Sequence, residues 1–501
     1  MGKRFRKLAA LGMACALMAC AMPLAGAEQA ADIGEKPVLR GLVETGVLVD
    51  SPSTGPNYED IVEATGYELQ LDIYQDDQRE TKINMAIASG EDYDFVRGST
   101  NTMIFNFIDN GALAPLNAAI DQYGQDLKAA FDEAVWREVT YEDGNIYVVP
   151  STGMPRLWNG LTIRQDWLDE LGMSAPTTTD ELMEVLRAFK EKDPGQVGAE
   201  RIIPFSTAMF SGKIDDDPLL GAFGITYPWV ERDGKLVNRV ELPEYREYVE
   251  FYRQMYSEGL LDKDLAVNKD STLMEKVNKG QVGVARYPWN LTYQTRDIWA
   301  AENPDWKLSY LNALTGPDGQ KGQQVEGGLS ARIVVPRTSQ KVDHVINFCN
   351  EFVKNYEYLM IGEEGVTWER QGDVRVPILP AFNEQRGDTF YYQPVSVGDI
   401  EYPMWLMRVY KLESMGQAYS DEMAALSDDV VENPVAFAMN LPVMQSNAAT
   451  LSQLELETVL KIIVGDLEMD ALDDMIAQWK AQGGDASTQE VNEWYARSKQ
   501  A

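Results

Sequence analysis

Aromatic residues in loops are the part of this sequence best suited to contact a ligand. The chain contains 11 Trp and 23 Tyr, and several of them lie beside Pro or Gly instead of recurring at helical spacing. Such a ring is predicted to face a cleft, where its flat surface can bind a ligand. About half of these rings are expected to be ordinary packing residues, because aromatic side chains also dominate cores. The candidates are Trp158, Tyr287, Trp289, Trp368, Tyr391, Tyr392 and Trp405, with the adjacent amides Asn159 and Asn290.

Catalysis by histidine would depend on a single residue. His344 is the only histidine, and its place next to Val345 in an apparent amphipathic helix favours a structural role over a catalytic triad. Cys349 is the only cysteine beyond the N-terminal segment. These counts exclude the usual zinc sites and an internal disulfide after N-terminal processing, and we predict no metal and no other cofactor.

Carboxylates are abundant, but their spacing singles out no catalytic pair. A glycosidase needs two acids at a set separation, and with 79 Asp and Glu residues such pairs arise by chance. Lys and Arg number only 44, which gives a formal charge of −35. This charge makes nucleic acid and anionic membranes poor partners and favours a soluble monomer.

Residues 1–27 have the pattern of an export signal. Basic residues precede an apolar run, and the small residues that end at Ala27 form a cleavage site. A lipoprotein cleavage site, in which Cys20 carries a lipid anchor, is the alternative. Both interpretations place the mature protein outside the cytoplasm, and no later segment has the apolar length of a membrane span.

The start of the mature chain alternates between strand and helix patterns. Three β-runs between residues 38 and 96, separated by helical patterns, predict a parallel sheet. Because ligands of open α/β sheets collect at the carboxyl ends of strands, Arg97, Ser99 and Thr100 are candidate cleft residues. Pairing of Arg97 with a local acid such as Asp94 is the alternative.

The stretch from Asp143 to Phe205 is predicted to carry the chain from one compact unit into another. A Pro- and Gly-rich passage separates β-runs at 145–149 and 161–164, and a helix, a turn and a second helix follow. Gly172 is predicted to end the first helix and Thr179 to cap the second. A chain of 501 residues is long enough for two or three such units.

Four passages resemble the family 1 extracellular solute-binding proteins, in the branch of oligosaccharide-binding lipoproteins that serve bacterial ABC importers. They are RQDWLDELGMSAPTTTDELMEVLRAFKEKDP from Arg164, KINMAIASGEDYDFVRG from Lys82, GEEGVTWE from Gly362 and VGDLEMDALDDMIAQWKAQGGDASTQEVNEWY from Val464. The resemblance extends over nearly the whole chain after the signal. Its motifs are specific to the family and not to a ligand.

The resemblance implies an α/β, two-lobed, periplasmic-binding-protein-like (type II) fold with a hinge and a ligand cleft between the lobes. Each lobe is expected to contain a largely parallel sheet and to close over the ligand. The expected ranges are 36–149 plus 328–382 for lobe one and 150–327 plus 383–501 for lobe two. The expected crossing segments lie near 149–155, 315–327 and 377–395.

By the same resemblance, the protein is expected to capture an oligosaccharide, to deliver it to ABC permease subunits in the membrane and to catalyse no reaction. A secreted carbohydrate-active enzyme and a sugar receptor of a signalling system are the alternatives. A neutral glycan would rely on Trp faces and on Asp or Asn. An acidic glycan, such as the alginate or aldouronate fragments of some relatives, would need basic residues in the cleft. The basic candidates are Arg97, Arg156, Arg164 and Arg286.

The turn from Asp193 to Pro204 departs from the pattern of calcium-binding relatives. In those relatives the turn resembles an EF-hand loop, which holds the ion through oxygen ligands at alternating positions. Asp193 remains here, but Gly195, Val197 and Arg201 are among the residues that replace ligating positions. We therefore predict no calcium, and an ion pair between Arg201 and Asp193.

Overall fold

The computed structural model describes residues 32–44, 55, 57–75, 78–157, 160–212, 214–372, 374–387 and 389–499. The predicted signal segment 1–27, with Cys20, lies outside these residues. The strands are β1 (Leu39–Glu44), β2 (Leu69–Tyr74), β3 (Phe95–Arg97), β4 (Val148–Gly153), β5 (Leu161–Arg164), β6 (Ile203–Ser206), β7 (Trp229–Arg232), β8 (Lys235–Asn238), β9 (Val282–Arg286), β10 (Leu308–Tyr310), β11 (Gln323–Gln324), β12 (Gly328–Val334), β13 (Trp368–Gln371), β14 (Val374–Pro377) and β15 (Val430–Val431).

Helices make up most of the remaining described chain, and none of them combines the length and apolar character that a membrane span requires. The α-helices are α1 (Tyr58–Thr65), α2 (Arg79–Ser89), α3 (Asn101–Asp109), α4 (Asn117–Tyr123), α5 (Gln125–Ala129), α6 (Glu133–Glu138), α7 (Gln165–Leu171), α8 (Thr179–Lys192), α9 (Pro243–Ser257), α10 (Asp270–Asn278), α11 (Trp289–Glu302), α12 (Val342–Lys354), α13 (Tyr356–Ile361), α14 (Ala381–Arg386), α15 (Thr389–Tyr392), α16 (Gly398–Val409), α17 (Glu413–Leu426), α18 (Pro442–Val464), α19 (Ala471–Trp479) and α20 (Asp485–Ser498).

The first sheet has the strand order β2-β1-β3-β12-β4. Strand β1 pairs in parallel with β2 and β3, whereas β12 runs antiparallel to β3 and β4. Strands β1 to β4 therefore end at one edge of the sheet, which carries Arg97 and Gly153, and β12 begins at that edge. The parallel arrangement predicted for the first three strands is confirmed.

The second sheet has the strand order β10-β5-β9-β6. Only β6 and β9 pair in parallel, while β5 runs antiparallel to β9 and β10. The expectation of a largely parallel second sheet is wrong, because β5 starts beside the crossing and runs away from the edge at which β6 and β9 end. That edge carries Ser206 and Arg286.

Each sheet is packed within its own hydrophobic core. In lobe two, Trp167 of α7 meets Phe189 of α8 edge-on, with ring centroids 5.1 Å apart. In lobe one, Phe348 of α12 packs against the first sheet. Val395 and Met407 are buried in the same lobe-one core, so lobe one extends beyond the expected boundary at residue 382. The apolar face of α16 explains the difference, because it packs on lobe one before the chain returns to lobe two.

The turn between α7 and α8 is fixed by local hydrogen bonds. Gly172 ends α7 with a φ of 65°, as predicted. The cap of α8 is Thr178 and not the expected Thr179, because the Thr178 hydroxyl accepts a hydrogen bond from the Glu181 N–H at 3.1 Å. The Glu181 carboxylate in turn accepts one from the Thr177 N–H at 2.7 Å. This reciprocal pairing sets the first turn of the helix.

The turn after α8 closes on the Asp193 carboxylate. Asp193 has a φ of 46°, and its carboxylate oxygens accept hydrogen bonds from the N–H groups of Val197 at 2.8 Å and Gly198 at 2.7 Å. These backbone donors take the place of the predicted ion pair with Arg201, which lies exposed. The turn is therefore organised around a carboxylate whose oxygens already accept two backbone hydrogen bonds.

Calcium is expected to leave the melting temperature of the protein unchanged. The one retained carboxylate is hydrogen-bonded to two N–H groups, and the turn offers fewer oxygen ligands than calcium requires. Calorimetry of the processed protein in about 1 mM CaCl2 and in EDTA tests this expectation. The variant Asp193→Ala should lower the melting temperature equally in both media, and a rise with calcium in the unaltered protein would contradict the prediction.

Candidate ligand-binding cleft

A cavity of about 1070 Å³ lies between the two lobes. This volume is large enough for a ligand of several rings. Lobe one contributes residues around the start of α6, lobe two contributes the region of Asp216 and Tyr227, and the crossing segments form the remaining wall. The lining residues are 130–132, 135, 152–156, 216, 227, 324–328, 397, 399, 400, 432, 433, 436 and 437.

The crossing segments lie side by side and are joined by hydrogen bonds. Strands β4 and β12 stay paired as far as Gly153 and Gly328. The N–H of Thr152 donates to the carbonyl of Ser396 at 2.9 Å, which joins the third segment to the first. Gly398 lies so close that a Cβ there would be 2.1 Å from the carbonyl oxygen of Gly153. At Gly398 the hinge therefore has no room for a side chain.

Two apolar side chains line the cavity and remain exposed. Phe437 is 47% exposed and Ile400 is 48% exposed, and they come from a loop and from the first turn of α16. An exposed ring beside carboxylates suits a ligand that has both C–H faces and hydroxyl groups. The sequence interpretation missed Phe437. The same local signal that marked the other loop aromatics could have found it, because Pro434 precedes it by three residues.

Trp289 and Trp405 meet beside the cavity, with ring centroids 5.9 Å apart and an interplanar angle of 76°. Tyr419 completes the cluster at 5.5 Å from Trp289 and 5.6 Å from Trp405. Arg156 lines the cavity and places its guanidinium 5.0 Å from the centre of the Trp405 ring. Both tryptophans are buried, and Trp405 supports the cavity wall through its contact with Arg156. Direct contact of either ring with a ligand stays a prediction.

A buried carboxylate ties the first crossing to this aromatic cluster. Glu422 of α17 is fully buried and accepts hydrogen bonds from the N–H groups of Gly160 at 2.9 Å and Trp289 at 3.2 Å. Burial raises the pKa of Glu422 to about 8, although these N–H donors and the charge of Arg286 act in the opposite direction. A Cβ at residue 160 would be 2.7 Å from a Glu422 oxygen. Glycine is therefore required where the crossing passes the carboxylate.

Each of the four candidate arginines has a carboxylate partner. Arg97 Nε lies 3.7 Å from Glu44, and Arg97 Nη1 also donates to the carbonyl of Gln393 at 3.1 Å. Arg97 therefore has an acidic partner, which is Glu44 of the neighbouring strand β1 and not the expected Asp94. The other three pairs are Arg156 with Glu326 at 2.7 Å, Arg164 with Asp166 at 2.5 Å and Arg286 with Asp216 at 3.5 Å.

Residues 51–350 match the family described as bacterial extracellular solute-binding protein. This match covers more than half of the chain. The chain belongs to this family. The predicted family membership and the predicted class of solute-binding proteins are confirmed, and the members of this family are binding proteins.

The names of relatives of this solute-binding protein include several different sugars. The chain is 24% identical over 462 residues to the polygalacturonan/rhamnogalacturonan-binding protein YtcQ of Bacillus subtilis. The matched segment covers 88% of each chain. It is 32% identical over 275 residues to the fructooligosaccharide ABC transporter substrate-binding protein FusA of Streptococcus pneumoniae, which covers 51% of this chain and 49% of FusA.

Solved structures confirm the predicted two-lobed α/β fold. The structure of S. pneumoniae FusA in complex with kestose has a TM-score of 0.73 at 21% identity, covering 93% of this chain and 99% of FusA. The alginate-binding protein AlgQ2 without calcium has a TM-score of 0.69 at 20% identity, covering 92% of this chain and 98% of AlgQ2.

Three of the predicted ligand contacts of this solute-binding protein are packed inside the lobes. Tyr287 is fully buried in lobe two, where its hydroxyl lies 2.8 Å from the Thr295 hydroxyl. Trp368 and Tyr392 are buried in the lobe-one core. These residues have Pro or Gly close by in the sequence, as the aromatic residues near the cavity do. Only their burial in the structure distinguishes the two groups.

The remaining predicted contacts are Trp158, Asn159, Tyr391, Asn290 and Arg97. Trp158 and Asn159 fall outside the described residues, and the side chain of Tyr391 is likewise not described. Asn290 lies next to Trp289 in the first turn of α11 and is half-buried. Arg97 stands at the cleft edge of the first sheet, as expected. Contact of these residues with a ligand stays a prediction.

The variant Glu422→Gln is expected to change the pH dependence of stability. Because the pKa of Glu422 is about 8 in the folded state and near 4.3 in an unfolded chain, the folded protein holds a proton that the unfolded chain releases between these values. The free energy of unfolding should therefore fall with rising pH in this window, by up to about 1.4 kcal/mol per pH unit.

Urea unfolding of both proteins from pH 5 to pH 9 tests this prediction. The variant has no such proton to lose, so its stability relative to the unaltered protein should rise from pH 5 to pH 8 and then level off. The variant Glu413→Gln removes an exposed carboxylate from the same helix and controls for the loss of one negative charge. Parallel curves for the unaltered protein and Glu422→Gln would contradict the prediction.

Proposed function

We propose that this protein captures an oligosaccharide between its two lobes. The cavity between the lobes is the observation that carries the proposal, because it combines exposed apolar faces with a wall of hydroxyl-binding groups. Phe437 and Ile400 can pack against the C–H faces of sugar rings, and the carboxylates of Asp216 and Asp399 can accept hydrogen bonds from hydroxyls. The sugars in the names of YtcQ and FusA support the same class of ligand.

We further propose that the loaded protein, acting as a monomer, delivers its sugar to the permease subunits of an ABC transporter. The glycine-lined hinge supports closure of the lobes, which is the change that a permease can recognise. The binding step involves no bond breaking in this proposal. A carbohydrate-active enzyme would instead release products, and a signalling receptor would bind sugar without a permease partner.

We also propose that the mature protein acts outside the cytoplasm. The family is extracellular, and residues 1–27 have the pattern of an export signal. Mass spectrometry of the protein from its native membrane and medium distinguishes the two forms. A chain that begins at Glu28 indicates ordinary signal cleavage, a lipid-modified chain that begins at Cys20 indicates an anchored lipoprotein, and an uncleaved chain contradicts export.

The first experiment measures the melting temperature of the processed protein with a panel of neutral and acidic oligosaccharides. A ligand at 100 times its dissociation constant adds about 2.7 kcal/mol to the stability of the native state. Each sugar is then recovered and analysed by chromatography. A rise in melting temperature with the sugar recovered intact supports binding without catalysis. Cleavage of the sugar, or no rise with any sugar, would overturn the proposal.

Replacement of Phe437 by Ala is expected to weaken binding of the sugar identified in this panel by about tenfold, because an aromatic face is worth about 1.4 kcal/mol when it packs on a ligand. Isothermal titration calorimetry measures the change. Phe437→Leu keeps the apolar bulk without the ring and should restore only part of the affinity. Val374→Ala, at a 50% exposed position of β14 that does not line the cavity, is the control. Equal affinities of all four proteins would exclude Phe437 from the site.

A further inference from the structure

We infer that the ligand of this cleft is an uncharged oligosaccharide and not a uronic one. The inference rests on the proposed function and names the chemistry of its ligand. The described side chains that line the cavity include five carboxylates and one guanidinium. They are Asp132, Asp216, Glu326, Asp399, Glu432 and Arg156.

The single cavity-lining guanidinium is already neutralised. Both Nε and Nη2 of Arg156 donate to one carboxylate oxygen of Glu326, at 3.0 and 2.7 Å. The backbone repeats the contact, because the N–H of Glu326 donates to the carbonyl of Arg156 at 2.8 Å. The planar group also lies over the Trp405 ring. Arg156 is therefore held by the hinge and would have to exchange Glu326 for a ligand carboxylate.

The other candidate arginines leave an excess of carboxylates in the cavity, although Arg286 lies 3.5 Å from the cavity-lining Asp216 and offsets its charge. Arg97 and Arg286 are buried beside Glu44 and Asp216. Arg164 is buried in lobe two among three tryptophan rings, with its guanidinium 4.6 Å from the Trp167 ring centre. An oligouronate such as trigalacturonate brings one carboxylate on each ring, and it would face carboxylates in a chain whose formal charge is −35. The hydroxyls of a neutral glycan are instead good donors to the same carboxylates.

Calorimetric titration of the processed protein with matched trisaccharides tests the inference. Fructo-, xylo-, galacto- and maltotriose serve as neutral probes, and trigalacturonate and trimannuronate serve as uronic probes. A neutral trisaccharide should bind with a Kd that changes less than about twofold between about 20 and 500 mM NaCl. At low salt, the uronic probes should bind at least about tenfold more weakly than this neutral trisaccharide.

The variant Glu326→Gln tests the role assigned to the Arg156–Glu326 pair. The amide keeps the shape of the side chain but leaves the Arg156 charge uncompensated, so affinity for trigalacturonate should rise by about tenfold at low salt. Asp318→Asn removes an equal charge from an exposed position of the same crossing segment, outside the cavity, and should produce no such gain.

The outcomes separate this inference from the proposed function. Binding of a neutral probe alone, with a gain of uronic binding in Glu326→Gln only, supports both. Uronic binding as strong as neutral binding in the unaltered protein overturns the inference and leaves the proposed function standing. A failure of Glu326→Gln to gain uronic affinity overturns the role of the ion pair. No binding of any probe of either kind overturns the proposed function itself.

Discussion

The cleft of this protein depends on backbone segments that pass the hinge in direct contact. A Cβ at Gly398 would be 2.1 Å from the carbonyl oxygen of Gly153, and a Cβ at Gly328 would be 2.2 Å from that of Ala436. No side chain fits at these two glycines, and the segments are joined there by backbone hydrogen bonds and by short side chains such as Thr152, whose hydroxyl accepts a hydrogen bond from the Gly398 N–H at 2.8 Å. Such a joint holds the two halves of the cavity in register and leaves little interdigitated packing to oppose a rotation of one lobe.

Buried polar groups fix the lobe-two wall of the cavity. Arg239 is fully buried and pairs with Glu455 of α18 at 2.8 Å and with Asp215 at 2.5 Å. The carbonyl of Asp215 also accepts a hydrogen bond from Gln324 of the second crossing segment. Asp216, the next residue, lines the cavity. The position of a candidate ligand-binding carboxylate thus depends on a guanidinium that cannot lose its partners without leaving a buried charge unpaired.

The aromatic residues show what local sequence patterns can and cannot predict about the cleft. Trp289 and Trp405 were predicted from their Pro neighbours, and they do meet beside the cavity. Tyr287 has the same Pro neighbour as Trp289, yet its ring is buried in the lobe-two core, where its hydroxyl lies 2.8 Å from the Thr295 hydroxyl. Phe437 has a comparable neighbourhood and is exposed in the cavity. Local sequence therefore identified loops and could not identify which side of each loop faces the cleft.

The sequence by itself determined the family, the two α/β lobes, most helix and strand positions and the loss of the calcium pattern. These features depend on local periodicity, caps and motifs, and each of these signals comes from residues that are close together in the sequence. Only the tertiary structure decided the strand directions of the second sheet, the extent of lobe one and the partner of each arginine. Glu44 with Arg97 and Glu326 with Arg156 are far apart in sequence, and an ion pair requires two side chains within about 4 Å. The charge balance of the cleft is therefore a property of the fold.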